Sequence, residues 1–349
     1  MVPVSNPRIT DVQVLWLSFF VLLPLGFTLL LYFPQELSPD IQTYLGLAQG
    51  EWNQSAVRRY RLIIPLLAGS LNGIFHPILD RLHPWTFNGD FSLSVCFLLV
   101  NAGLMSCVAW IIYKIGRLYP LNPMALTVLL LSFYSNRWTL EITALPLVDS
   151  LYLIALSTGL YGRLSGNEAW LRFSIFLGPW AKESYLFMLP FILLDERQLV
   201  YRRIPYLLVS GLLVFGFRAL WDFLNGYSWA SSLAEDFSSL QTIPESLHRL
   251  FSFHGLYELL SVTGLWSLLM VYALLKHKKT FFSLVSLKGT QVYWIYLPIV
   301  LVQALLSGDL GRMFYLAIPV VALVTGIAFQ SIFGHTKQNE QIQNFHNTN

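Results

Sequence analysis

The chain has 349 residues, 55% hydrophobic, 15% aromatic and 12% charged, with a formal net charge of +3. A soluble globular domain carries about twice that charged fraction, and so small a positive surplus, spread along the chain, excludes a nucleic-acid partner. Apolar runs of about 18 residues or more recur from end to end, each long enough to cross a ~30 Å hydrocarbon core, so the sequence reads as an all-α, polytopic transmembrane protein.

The first span, 14–33, is too long for the apolar core of a signal peptide and ends in Phe33-Pro34 rather than in small residues. A loop over 34–90 follows. In it, Ser38-Pro39-Asp40 reads as a helix start, with a capping serine, a first-turn proline and an acid suited to the helix dipole. Ile41, Tyr44, Leu45 and Ala48 then recur at helical spacing, so the segment is expected to lie along the membrane surface. Arg58, Arg59 and Arg61 come next, and then an apolar stretch, 62–75, short enough to be a partial or interfacial helix. Further spans are expected at 92–113, 123–140, 146–162, 203–221, 256–275, 291–307 and 313–333. The run 171–194 is interrupted by Gly178-Pro179 and by Lys182-Glu183, and reads as two short helices of a hairpin that enters and leaves on one side. The count comes to about 8–10 membrane helices, with interfacial helices in the first outer loop. Cys96 and Cys107 share one helical run and stand roughly 16 Å apart, too far for a disulfide. With no internal repeat, residues 1–333 form one transmembrane domain and 334–349 a polar cytoplasmic tail.

Basic residues set the orientation. The segments holding Lys114 and Arg117, Arg163 and Arg172, Arg197, Arg202 and Arg203, and Lys276, Lys278, Lys279 and Lys288 alternate onto one side with both termini (Arg8 and Lys337 included). That side is the cytoplasmic one. The other receives the loops 34–90 and 222–256, the second acidic, with Asp222, Glu235, Asp236 and Glu245 against Arg249. The expected location is the cell membrane, multi-pass, with any active site on the extracytoplasmic face.

The arginines of the first loop run against this bias. Either Arg58, Arg59 and Arg61 snorkel to lipid headgroups, or they bind phosphate, for which a guanidinium offers a bidentate fork. Asp40 close by is either a dipole-matched helix start or a carboxylate able to take a proton from an acceptor hydroxyl. Ionisable side chains at membrane depth cost several kcal/mol and are functional by default. Asp149, at the outer end of a span, is a helix-start carboxylate or a second catalytic acid. Lys182 and Glu183 point about 100° apart on a helix and cannot pair with each other, so each needs another partner. Lys182, at a helix break, can reach a phosphate. Asp309 and Arg312 share a short outer turn, with Gly308 and Gly311 allowing close backbone approach, and form a local salt bridge or part of the site. Arg137, Glu141 and Arg218 also fall near the outer face, with no role assigned. The seven histidines show no metal spacing, and the lack of a Gly-rich phosphate loop disfavours a nucleotide donor. "NQS" at Asn53 is a glycosylation pattern by spelling alone.

One span, an outer loop opening with "SPDIQTYLGLAQG", and then "YRLIIPLLAGSL" resemble the GT-C superfamily of integral-membrane glycosyltransferases. "ALPLVDSLYLIAL" is similar to the Asp-led start of a later helix in these enzymes, and "WAKESYLFMLPF" and "SGDLGRMFYLAIP" to Lys-Glu and Gly-Arg stretches of bacterial members. The resemblance implies a GT-C-like fold and sugar transfer from a polyprenyl-phosphate-linked donor to an acceptor glycan, lipid or protein, as in cell-envelope glycan biosynthesis. It places Asp40 at the acidic position central to catalysis, as the base of an inverting transfer, with Asp149 next in line. Arg58, Arg59, Arg61, Lys182, Glu183, Asp309 and Arg312 are the candidate substrate-binding residues. Arg59, Arg61, Lys182 and Arg312 are expected to converge and Arg58 to point elsewhere. No Asp-x-Asp pair follows Asp40. No cofactor is therefore called for, with a divalent metal left open. No soluble carboxy-terminal domain is expected. A transporter or flippase for a lipid-linked glycan is the alternative, and a non-catalytic assembly subunit a third; the first of these commonly shows two similar halves, which the sequence does not.

Overall fold

The computed structural model describes residues 10–33, 38–84, 87, 89–193, 200–228, 243–288, 291–307 and 309–334. Arg8, Pro34, Arg197, Glu235, Asp236, Gly308, Lys337 and the expected tail beyond Gly334 lie outside the described residues.

Every regular element described is helical. Helix α1, Asp11–Tyr32, opens on a capping box in which Thr10 and Gln13 satisfy each other's backbone N–H. The first loop carries α2, Pro39–Ala48, the single turn α3, Ala56–Arg59, and α4, Ile63–Leu79. Helix α5, Phe91–Gly116, packs on α1, where Gly26 leaves room for Leu98 and Thr143. The stretch 123–140, expected as one span, is two helices: α6, Pro123–Tyr134, and α7, Arg137–Ala144. Asn136 separates them because its side chain caps α7 by accepting from Trp138 N.

Helix α8, Asp149–Ser165, is buried on nearly all sides and forms the centre of the bundle. Asn101 of α5 donates to Leu145 O and Leu147 O at 3.0 and 3.1 Å and accepts from Ser150 Oγ at 2.6 Å. That fixes the turn from which α8 starts, and with it Asp149.

Helix α9, Glu168–Ala181, returns along α8 at close range: Ser174 Oγ donates to Ala155 O, and Gly159 and Gly162 face Ser174 and Leu171 without room for a Cβ. It ends at Lys182, whose extended backbone (φ −162°, ψ 136°) breaks the helix. The chain turns back through a 3₁₀ stretch, Glu183–Met188, into α10, Leu189–Leu193. Gly178 is required here, since a Cβ on it would stand 2.3 Å from the Tyr185 ring. Lys182 lies beside Asp149 and Phe191 beside Arg163, so the hairpin enters and leaves at the same end of α8, as its sequence indicates.

Helix α11, Ile204–Leu224, packs on α9. Beyond it come α12, Ile243–Leu250, α13, Phe253–Thr263, α14, Trp266–Lys276, and α15, Lys278–Ser286. The expected span 256–275 is therefore broken, bent by 85° between α13 and α14 at Gly264, whose φ of +54° an L side chain rarely adopts. Helix α16, Gln291–Ser307, the short α17, Leu310–Phe314, and α18, Ile318–Phe333, complete the bundle.

Among the described residues, five helical stretches are long and apolar enough to cross a membrane: Asp11–Tyr32, Ile63–Leu82, Phe91–Gly116, Ile204–Leu224 and Leu310–Phe333; the bent pair makes a sixth if read as one span. That is fewer than the expected count of about 8–10, because several of the expected spans are short or broken helices. The stretch that begins at residue 62 is thus longer than its apolar core indicates, because helix continues through His76, Pro77 and Asp80 to Leu82. It lies against the start of α5, Asn72 accepting from Ser92 Oγ and His83 meeting Phe91.

Candidate functional site

Asp40 sits in the first turn of α2, and Ile41, Tyr44 and Leu45 bury the face that anchors it. Its Oδ1 is 2.5 Å from Arg58 Nε and its Oδ2 2.7 Å from Arg312 Nη1. Arg312 comes from the other end of the sequence, in the first turn of α17, where Asp309 caps the helix by accepting from Arg312 N at 3.2 Å. Gly311 is needed at this turn, because a Cβ there would stand 2.4 Å from the Trp138 ring. From Arg312 the network continues inward. Its Nε lies 3.4 Å from Asp309 Oδ2 and 3.8 Å from Asp149 Oδ2, and Asp149 Oδ1 lies 3.4 Å from Lys182 Nζ. Next to Lys182, Glu183 pairs with Arg61, and with Arg218 of α11 at 3.5 Å. Arg61 also donates to Tyr44 at 3.1 Å, which closes the circuit back to α2 one turn below Asp40.

Two adjoining ion-pair groups make up the cluster: Arg58, Lys182 and Arg312 with Asp40, Asp149 and Asp309, and Arg61 and Arg218 with Glu183, the two meeting where Lys182 and Glu183 are neighbours in the chain. In the first group cations and acids are equal in number. Arg61, Lys182 and Arg312 converge as the sequence indicates. Arg58 and Arg59 are the reverse of expectation: Arg58 joins the cluster and Arg59 leaves it. The reason for divergence is the one foreseen, since adjacent residues on the α3 turn face about 100° apart; which of the two turns inward depends on Asp222. Arg59 Nη2 donates to Asp222 Oδ1 at 2.9 Å, Tyr60 OH donates to the same carboxylate at 2.7 Å, and the guanidinium lies 3.9 Å from the Tyr227 ring centroid. Arg59 thus straps the first loop to the end of α11. Arg137 and Glu141 pair with each other at 2.5 Å, outside the cluster.

Exposure grades across the site. The side chains of Arg58, Arg312 and Asp40 are 33%, 16% and 14% exposed, while Asp149 and Lys182 are 4% and 8% exposed. Asp40 is accordingly the more reachable of the two candidate catalytic carboxylates, and Asp149 is the buried counter-ion shared by Lys182 and Arg312. Burial alone would raise the Asp40 pKa, but the Arg312 and Arg58 guanidiniums outweigh it and hold the carboxyl below its usual range. Among the described residues, no group of three or more His, Cys, Asp or Glu side chains could hold a metal ion.

Sequence reasoning missed Tyr44, Asn101 and Asp222 as parts of this architecture and gave Arg218 no role. All four act through contacts between distant segments, and only the acidic character of the loop after α11 hinted at one of them. No protein-family model matches the chain, and neither a curated protein nor a solved structure matches it.

Proposed function

We propose that the chain is a multi-pass membrane glycosyltransferase of GT-C-like architecture, transferring sugar from a polyprenyl-phosphate-linked donor on the extracytoplasmic face. What supports this reading above all is Asp40: a carboxylate more exposed than Asp149, held between the Arg58 and Arg312 guanidiniums, with the buried Lys182 ammonium beyond Asp149. In the reaction the acceptor O–H gives its proton to Asp40, and the acceptor oxygen bonds to the anomeric carbon from the face opposite the phosphate. The bond from the anomeric carbon to the phosphate oxygen breaks, and its electron pair leaves on the lipid phosphate. The anomeric centre inverts. Arg312 and Lys182 offset the charge that develops on the leaving oxygen, the kind of electrostatic stabilisation that dominates such sites. Arg61, held by Glu183 and Tyr44, keeps the loop and the hairpin in register beside them. The acceptor is a glycan, lipid or protein hydroxyl.

The test is transfer by the purified wild-type chain in lipid vesicles, supplied with a panel of polyprenyl-phosphate-linked sugars. Product with at least one donor, of inverted anomeric configuration, is the expected result. No product with any donor, together with movement of a lipid-linked glycan across the vesicle bilayer, would replace this reading with the transporter, which the helix broken at the buried Lys182 also suits.

A further inference from the structure

Lys182 and Arg312 retain hydrogen-bonding capacity. The Lys182 side chain is 8% exposed, yet its nearest hydrogen-bonding atoms among the described residues are Asp149 Oδ1 at 3.4 Å and Met313 Sδ at 3.5 Å. Both are long for an ammonium, which forms charge-assisted bonds near 2.7–2.9 Å. Arg312 Nε is buried without a hydrogen bond among the described residues. One guanidinium is divided among three carboxylates, on Asp40, Asp149 and Asp309, and only the Asp40 contact, at 2.7 Å, is short. Arg61, by contrast, is engaged by Glu183 and Tyr44.

Building on the glycosyltransferase reading, we infer that Arg312 is shared between Asp40 and the donor's phosphate, passing from the first to the second as the reaction proceeds. In the resting site Arg312 steadies the Asp40 carboxylate. A phosphate lodged on Lys182 competes for the same guanidinium, so each anion weakens the other's hold, and the effect is reciprocal. When the acceptor's proton reaches Asp40, that carboxylate becomes neutral and ceases to compete. Arg312 is then free for the leaving phosphate at the step in which the phosphate gains its charge. Asp149 and Asp309 are the remaining acids facing Arg312, and Arg58 stays on the Asp40 side.

The competition gives a sign that a merely structural salt bridge does not. Farnesyl phosphate and, separately, inorganic phosphate are titrated calorimetrically into the purified full-length chain in detergent at neutral pH. Asp40→Asn removes the competing charge and is expected to tighten farnesyl phosphate binding about tenfold. Asp309→Asn, farther from Arg312, tightens it about two- to threefold, and asparagine caps a helix as well as aspartate, so this variant keeps the test open should the first fail to fold. Lys182→Gln weakens binding at least tenfold, and Arg137→Gln leaves it unchanged. Inorganic phosphate binds more weakly but ranks the variants in the same order. Unchanged or weaker binding by both carboxylate variants overturns the sharing of Arg312 while leaving the glycosyltransferase reading in place. An order seen with farnesyl phosphate alone assigns the effect to the lipid chain and also overturns it. Absence of any binding by wild type removes the sharing and the phosphate-linked donor together.

Discussion

The two ends of α8 both bury arginines, in opposite circumstances. At the Arg163 end each guanidinium has fixed partners: Arg163 donates to Phe191 O at 2.9 Å, and Arg203 donates to Ile192 O at 2.6 Å while pairing with Glu168. These arginines donate to carbonyls in the last described turn of α10. At the Asp149 end, Arg312 is divided among several acids and Lys182 has only long contacts. Burial of a charge is therefore a poor marker of a site by itself. The useful marker is whether the donors of that charge are already taken.

The largest contrast is expected on removing the shared acid. Asp149→Asn leaves Lys182 and Arg312 buried with too little negative charge, and should destabilise the fold by about 3–5 kcal/mol in equilibrium unfolding in mixed micelles. A variant as stable as wild type would mean that the cluster is not balanced through Asp149. Arg163→Gln, at the other end, gives up a charge-assisted bond to Phe191 O and should cost about 1.5–3 kcal/mol with no change in the KM for donor. A raised KM there would erase the distinction between the two ends. Gly178→Ala tests the hairpin that joins them, since the new methyl meets a Tyr185 ring held by Ser174, and roughly 1–3 kcal/mol of strain is expected from the same unfolding measurement. Smallest of all, Arg137→Gln breaks a pair whose arginine is half exposed and should cost no more than about 1 kcal/mol.

Acid sharpens the comparison further. The folded-state pKa of Asp40 is held below its ordinary value, so its contribution to stability is complete above the ordinary carboxylate range and is lost as pH falls through the folded value. The acid limb of kcat/KM, which reports the free enzyme, should accordingly lie below the usual carboxylate pKa. If phosphate draws Arg312 away, the limb of kcat should lie at higher pH than that of kcat/KM. Coincident limbs would show that Asp40 has the same neighbours in both states.

Much of this architecture was legible in the sequence. The helix start at Pro39-Asp40 and the hairpin turn at Lys182-Glu183 lie where the residues indicated, but α9 runs through Gly178-Pro179 to Ala181 instead of breaking there, and Ser38 makes no side-chain capping bond. The breaks within 123–140 and 256–275 carried local signals too, Asn136 as a cap and Gly264 at positive φ, but hydrophobicity ran through both and concealed them. The choice between Arg58 and Arg59 was not legible at all. Both residues occupy one turn of helix, and what separates them is an aspartate more than 150 positions away. Arg218 was hidden for the same reason, because its partner Glu183 is on another helix.

Asp40 carries the central claim. A helix start needs no carboxylate, and loss of the dipole interaction alone would cost about 0.3–1 kcal/mol. Because both of its oxygens lie on guanidiniums, Asp40→Asn should cost about 1–3 kcal/mol and still fold. The direct measurement is the rate of sugar transfer from a polyprenyl-phosphate-linked donor by purified wild-type and Asp40→Asn protein, each shown monodisperse. An amide cannot accept the acceptor's proton, so a loss of about a hundredfold or more is predicted. Equal rates would contradict the account and move the base elsewhere, with Asp149 the next carboxylate to test.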